Sequence, residues 1–287
     1  MNFGLCLRLL TEADLAFADS LRDRVGWNQT RADWQRMRAL EPTGCFLAEC
    51  NGVPVGTATT IRYGLELAWI GMVLVHPEYR RRGVGRALLE RCLAYLRACG
   101  VRCIKLDATP AGKTVYDGLG FKEEWTLTRW THAHVPPIQA KAVSGMRSWQ
   151  TADGLGIEPV ELAAFGVSRQ RLVQVLAPQS QDSVVVESEP GQITGYGLLR
   201  PGSRAFYLGP VAAVGAETAL PVIEALMTSC EGNAVYWDIP DQNSVTVEWA
   251  KQHGFTAQRP LIRMYLGENH APGDPRKQYA LTGPETG

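Results

Sequence analysis

Four arginines and two glycines crowd into the run Arg80-Arg81-Arg82-Gly83-Val84-Gly85-Arg86. Glycines at 83 and 85 let backbone N–H groups approach a bulky anion with no Cβ between them. A helix starting there would add the partial positive charge of its N-terminus, and the arginines add a local positive field. Such a turn suits a diphosphate. Two familiar phosphate loops fit it less well. Leu88 stands where the dinucleotide fingerprint wants its third glycine. No Gly-Lys-Ser/Thr ending is present for a P-loop. A solvated arginine run ahead of an ordinary helix is the plainer alternative.

The elements that must position this turn are legible on both sides of it. Residues 67–75 are a nearly continuous apolar run, as in a strand buried on both faces. His76-Pro77 stops that strand. From 83 to 100 the apolar residues follow a helical period, with Val84, Leu88 and Cys92 on one stripe and Leu89, Leu93 and Leu96 beside it. Gly100 reads as its C-cap. Upstream, the pattern predicts a strand over 6–10, helices over 11–24 and 30–41, and a hairpin of 45–50 with 53–62 that turns at Asn51-Gly52. Downstream it predicts a strand over 103–107, a helix over 111–119 and a strand over 121–130.

A length of 287 residues suggests two domains. Apolar residues at 45% and charged residues at 20% fit a folded globular chain with an ample core. Lys plus Arg equal Asp plus Glu at 29 each, so nothing global favours nucleic acid or an anionic membrane, and neither is expected as a partner. Seven cysteines without a Cys-x-x-Cys pair read as reduced, mostly buried thiols, and with no leader or bilayer-length apolar run the expected compartment is cytoplasmic. His132 and His134 are too few for a metal site, and no metal is expected.

The order of elements then recurs. Helices over 160–165 and 169–176 precede strands over 184–187, 194–199 and 205–211. A helix over 215–230, a strand over 234–238, a helix over 243–252 and a strand over 255–266 follow. Asp107, Gly120-Phe121 and Arg129 correspond to Asp238, Gly254-Phe255 and Arg263. The division expected is a catalytic domain over 1–135, a linker and the start of the second domain over 136–157, and a related domain with its tail over 158–287. The tail from 268 is rich in Gly and Pro and reads as irregular or frayed.

Val75-His76-Pro77 followed by Arg80-x-x-Gly83-x-Gly85 resembles the main cofactor motif of the GNAT superfamily of acyl-CoA N-acyltransferases. Thr109-x-x-Gly112-x-x-x-Tyr116-x-x-x-Gly120-Phe121 is similar to its second motif, with Thr109 for the usual Asn and Gly112 for the usual Ala. The resemblance covers nearly all of residues 3–130 and implies an α/β fold: two tandem GNAT-like domains, each a mainly antiparallel mixed sheet with a splayed central strand and flanking helices. It implies acetyl-CoA as cosubstrate. The pantetheine role falls on Val73, Leu74 and Val75, with Thr109 and Gly112 nearby. The pyrophosphate role falls on the backbone from Arg81 through Arg82, Gly83, Val84 and Gly85 to Arg86, and Arg80, which opens the motif, counts among the cofactor-binding residues.

The same resemblance makes Tyr116 the general acid beside the sulfur. A phenol of pKa about 10 can hold a proton for a thiolate of pKa about 8.5. Glu66, ahead of the cofactor strand, is the candidate base, and a solvated residue is the plainer reading of it. Trp27 and Asn28 would line the acceptor pocket, and Trp237 at a strand end of the second half could join them. The equivalent turn in that half, Gly209 to Glu217, has no arginine, and Ala250 stands where the tyrosine belongs. One cofactor site per chain is therefore expected. The implied activity is acetyl transfer to a primary amine of a small-molecule or amino-acid-like acceptor, by direct attack in a ternary complex. A non-catalytic acyl-CoA sensor is the alternative, and a homodimer stays open.

Overall fold

A computed structural model describes residues 4–141 and 143–287. The first half runs β1 (Leu5–Leu9), α1 (Leu15–Val25), α2 (Arg31–Leu40), β2 (Cys45–Cys50), β3 (Val53–Tyr63), β4 (Leu67–Val75), α3 (Val84–Ala98), β5 (Cys103–Ala108), α4 (Lys113–Asp117) and β6 (Lys122–His132). The second runs β7 (Met146–Ser148), α5 (Asp153–Gly156), α6 (Glu158–Ala164), α7 (Gln170–Leu176), β8 (Asp182–Glu189), β9 (Gln192–Arg200), β10 (Phe206–Ala213), α8 (Ala216–Thr228), β11 (Val235–Pro240), α9 (Ser244–Gln252), β12 (Thr256–Gly267) and β13 (Gln278–Ala280). Local chemistry sets the boundaries. Thr30 closes a capping box with Asp33 at the start of α2, and Gly26, at φ 71°, ends α1 in the left-handed region.

The strands join in one mixed sheet, ordered β1-β2-β3-β4-β5-β12-β6-β11-β10-β9-β8-β7, with β13 paired to β10. The final strands of the two halves are exchanged. β12, from the second half, lies antiparallel against β5 of the first, and β6 of the first half lies against β11 of the second. β12 and β6 pair with each other in the middle. The boundary expected at residue 135 thus falls just after a strand that has already crossed into the other half.

The apolar run of β4 is buried because both faces are covered. On one face, Ala68, Ile70, Leu88, Leu89, Cys92 and Leu96 pack α3 onto the sheet. On the other, Leu67, Trp69 and Met72 share a core with Leu21 and Trp34 of α1 and α2, and with Val160, Phe165 and Leu172 in or beside α6 and α7. That core draws on both halves. Burying a large apolar side chain contributes about 1.5–3 kcal/mol. No helix among the described residues is long and apolar enough to cross a membrane.

Of the tail expected to be irregular or frayed, residues 268–277 are exposed or half-buried, whereas the last ten residues are packed in the core. Trp69 Nε1 donates to Pro284 O at 3.0 Å, Tyr63 OH donates to Thr286 O at 2.7 Å, and Arg169 Nη1 donates to Gly287 O at 2.7 Å. Gly71 makes room for it, since a Cβ there would lie 2.6 Å from Glu285 Cα. Gly and Pro composition signals irregular backbone, but exposure does not follow from it.

Candidate active site

β4 and β5 pair in parallel from Leu67–Cys103 to Trp69–Lys105 and then part. Beyond that point β4 bulges. Its register against β3 shifts between Thr57 and Thr59, and Met72 takes φ 49°. Thr57 Oγ1 donates to Met72 O at 3.0 Å and holds the bulge. A bulge turns strand groups out of the ladder, and past it Val73 and Val75 are only half-buried.

The arginine–glycine turn closes one end of that gap. Arg81 takes φ 58° and Gly83 φ 83°, and α3 begins at Val84. The first-turn amides of a helix have no acceptor within it, and here they face a cleft of about 280 Å³. Val73, Val75, Arg80, Arg81, Gly83, Val84, Gly85, Arg86, Gly112 and Tyr116 all line this cleft. Arg80 Nε donates to Val75 O at 3.2 Å and ties the turn to its strand. Arg82 turns away, its guanidinium 5.3 Å from the centre of the Tyr79 ring. Leu74 stays in the ladder opposite Thr57.

A second, smaller pocket of about 80 Å³ adjoins the cleft from the inside. Trp27, Gly71, Met72, Val73, Leu106, Asp107, Thr109, Tyr116, Arg259 and Pro284 are among its walls. Thr109 lies here, where its Oγ1 also accepts from Gly112 N at 3.2 Å. Tyr116 and Val73 line both spaces. Tyr116 packs edge-on against Phe121 at 6.0 Å. Burial, with a smaller push from Cys92, raises the Tyr116 phenol to about 12, so it keeps its proton at neutral pH.

Three other expected site residues are elsewhere. Glu66 precedes β4 at the end remote from the bulge, is exposed, and pairs with Arg102 at 3.0 Å. Six residues of strand, about 20 Å, separate it from Met72. Trp237 is fully buried against Trp249 and Phe255, and its Nε1 donates to Tyr279 O at 2.9 Å. Asn28 is buried and spends its amide on the other half: Nδ2 donates to Ala205 O, and Oδ1 accepts from Arg204 N and Ala205 N, each at 3.0 Å. It is a clasp between the halves. Asp107, at the wall of the inner pocket, accepts from Arg263 Nε and Nη2 at 2.9 and 3.0 Å.

Reading the sequence missed Arg259 and Pro284, because both arrive at the pocket from the second half by strand exchange and tail burial. No spacing relates them to the motifs of the first half.

In the second half, β10 and β11 also part, after Leu208–Trp237. There β13 fills the gap. Val211 pairs with Ala280, Ala212 pairs with Gln278, and Leu281 N donates to Asp238 O at 3.0 Å. At the start of α8, the Glu217 carboxylate folds back over Gly215, 2.3 Å from where a Cβ would be. An anion of the chain itself thus occupies the helix N-terminus.

Residues 13–121 match the acetyltransferase (GNAT) family, and residues 157–280 match a second acetyltransferase (GNAT) domain. The uncharacterized N-acetyltransferase YitH of Bacillus subtilis is 28% identical over 250 residues, covering 86% of each chain. A Pyrococcus horikoshii structure classed as an acetyltransferase superposes with a TM-score of 0.84 at 23% identity, over 99% of this chain and 96% of its own. A tandem GNAT protein from the clavulanic acid biosynthesis pathway gives 0.66 at 16% identity, over 92% and 98%.

Proposed function

We propose, for a chain that belongs to the GNAT acetyltransferase family in both of its halves, that the first half carries an acetyl group from acetyl-CoA to a primary amine of a small-molecule or amino-acid-like acceptor. Members of this family draw the acyl group from acetyl-CoA in general. The finer assignment rests on one observation: Tyr116 and Val73 line both the outer cleft and the inner pocket. A molecule in the first and a molecule in the second would meet at these two residues.

The fit to a CoA is physical. The Gly83–Gly85 turn offers uncapped amides, a helix N-terminus and three arginines to a diphosphate. The parted strands offer free backbone groups to an amide-bearing arm. Acetyl-CoA supplies an activated thioester; the residues do the rest. Backbone N–H groups at the β4 bulge are the donors suited to a developing oxyanion. Burial keeps the Tyr116 phenol protonated, so it can donate a hydrogen bond to the departing thiolate, which takes up the proton that the attacking amine releases.

No base need be assigned. Among the described residues lining the inner pocket, the one carboxylate is Asp107, and Arg263 occupies it. The amine therefore enters neutral, having lost its proton to solvent. The second half holds no CoA in this reading, because β13 and Glu217 take up its gap and its helix N-terminus.

Release of free CoA from acetyl-CoA across an amine panel tests the proposal. Amine-dependent release that collapses in Tyr116→Phe, with acetyl-CoA affinity retained, is expected. Tight binding without any amine-dependent release would refute it.

A further inference from the structure

Four arginines crowd the exchanged strands and their surroundings, and three have carboxylates. Arg129 pairs with Asp238 at 2.7 Å, Arg263 pairs with Asp107 at 2.9 Å, and Arg200 lies 4.0 Å from Glu285. The Arg259 side chain has no hydrogen bond or ion pair to any described residue, and its Nε is buried without a partner. Asp238 is already engaged: it accepts from Arg129 Nε and Nη2 and from Tyr207 OH at 2.8 Å.

The position of Arg259 is costly in another way. It stands directly opposite Arg129 in the β12–β6 ladder. Like charges facing one another across a strand pair destabilise it. Burial first, and the Arg129 charge next, push the Arg259 guanidinium pKa below its usual value. A half-buried cation placed against another cation, its Nε unpartnered and the residue lining a pocket, is a ready receptor for an anion. The pocket in question is the one Tyr116 and Val73 line.

We infer that Arg259 receives a carboxylate of the acceptor, so that the acceptor is a compact amine that also carries an acid group. This rests on the acyl-transfer reading for the identity of the pocket. Amine and acid then bind at two walls of one small space, the amine toward Tyr116 and Val73 and the carboxylate toward Arg259. An arginine fork takes a carboxylate in two parallel hydrogen bonds. Since Arg259 belongs to β12, the second half sets the acceptor class of a site built in the first.

The test compares the common α-amino acids with their α-amides, using the full chain loaded with CoA for calorimetric binding and acetyl-CoA for turnover. The acids are expected to bind at least about tenfold more tightly than their amides. Arg259→Gln should erase that preference by raising Kd and KM for the acids about 10- to 100-fold, leaving the amides and kcat little changed. Arg259→Lys retains the charge and should retain a weakened preference, which guards against a misfolded Gln variant. Amides binding as well as acids to the wild-type chain, or a preference that survives in Arg259→Gln, overturns the inference. Arg259-dependent binding of acids without any CoA release upholds it and refutes acyl transfer instead.

Discussion

Arg263 reaches from β12 across to Asp107 of β5 and holds both its oxygens, at 2.9 and 3.0 Å. Arg129 of β6 does the same to Asp238 of β11 at 2.7 Å. Each aspartate takes the arginine of the opposite half. The guanidinium of Arg263 also lies 4.5 Å from the Trp69 ring and 4.1 Å from that of Trp125. Two crossed pairs thus tie the strand exchange in register, and Asp107 of one of them lines the inner pocket.

Arg263→Ala should strand the Asp107 carboxylate in the core. Breaking a buried pair in this way costs about 3–5 kcal/mol. Thermal unfolding should show a fall in Tm of roughly 10 °C. A melting curve shifted by a degree or less would mean the pair does not hold the seam.

The mirror pair predicts an acid response. Burial works against the Asp238 carboxylate, but the charge and hydrogen bonds of Arg129 outweigh it and hold its pKa below the usual range. A lowered folded pKa means the unfolded chain binds the proton first. The resulting stability is fully present above about pH 4 and is lost as pH falls through the lower folded value. Denaturant melts from pH 7 to 3 should show this loss, and Asp238→Asn should flatten it. Equal acid slopes for both proteins would contradict the assignment.

The two glycines of the turn should behave oppositely. Gly85 has ordinary helical geometry, and a Cβ there would meet only Val75 Cγ2 at 3.5 Å. Gly85→Leu should keep or raise Tm, by up to about 1 kcal/mol of helix propensity, while its side chain fills the cleft. Acetyl-CoA affinity should fall at least about tenfold by calorimetry, since close backbone approach is lost. Gly83→Ala meets no neighbour but must hold φ 83°, so it should cost about 1–2 kcal/mol of stability. If Gly85→Leu binds acetyl-CoA as wild type does, the cleft is not the diphosphate site.

Tyr116→Phe should lower kcat by about a hundredfold or more, with acetyl-CoA affinity unchanged. Burial raises the phenol to about 12, so it stays protonated through neutral and mildly alkaline pH. The pH–rate profile of the wild type should therefore rise as the amine deprotonates and show no fall from Tyr116 in that range. A descending limb near pH 10 that vanishes in Tyr116→Phe would show that the phenol titrates much lower than its burial indicates.

Glu66→Gln should leave kcat/KM within about twofold, because surface changes away from a site are nearly silent. A large loss in steady-state assays would restore Glu66 as a participant through water.

Much of the outer cleft was legible because its residues are contiguous. Leu67 to Val75, the turn to Arg86, and the Tyr116-Gly120-Phe121 spacing are local signals, and the elements carrying them fall where periodicity puts them. The inner pocket was not legible in the same way. Its walls include Arg259 and Pro284, which reach it through a strand crossing and a buried tail that no periodicity announces. The Asp107 and Arg129 repeat was visible, but a repeat says which residues are equivalent and not which partner each takes. Trp237 and Asn28 carried the right chemistry for a pocket, and the fold spent them on packing and on clasping the halves. Short strands also escaped: the three residues of β13 have no pattern, yet they close the second gap.

The crossing of β12 between β5 and β6 has a consequence for how the chain is made. A ribosome releases β5 and β6 more than a hundred residues before β12 exists to join them. Until then the edge of β5 is unpaired, and Asp107 has no counter-ion. Contacts this distant in sequence form slowly, and open edges invite aggregation. The early half of the nascent protein should therefore depend on holdase chaperones, and gene fragments cut after β6 should yield insoluble or mutually swapped product where the full-length gene does not.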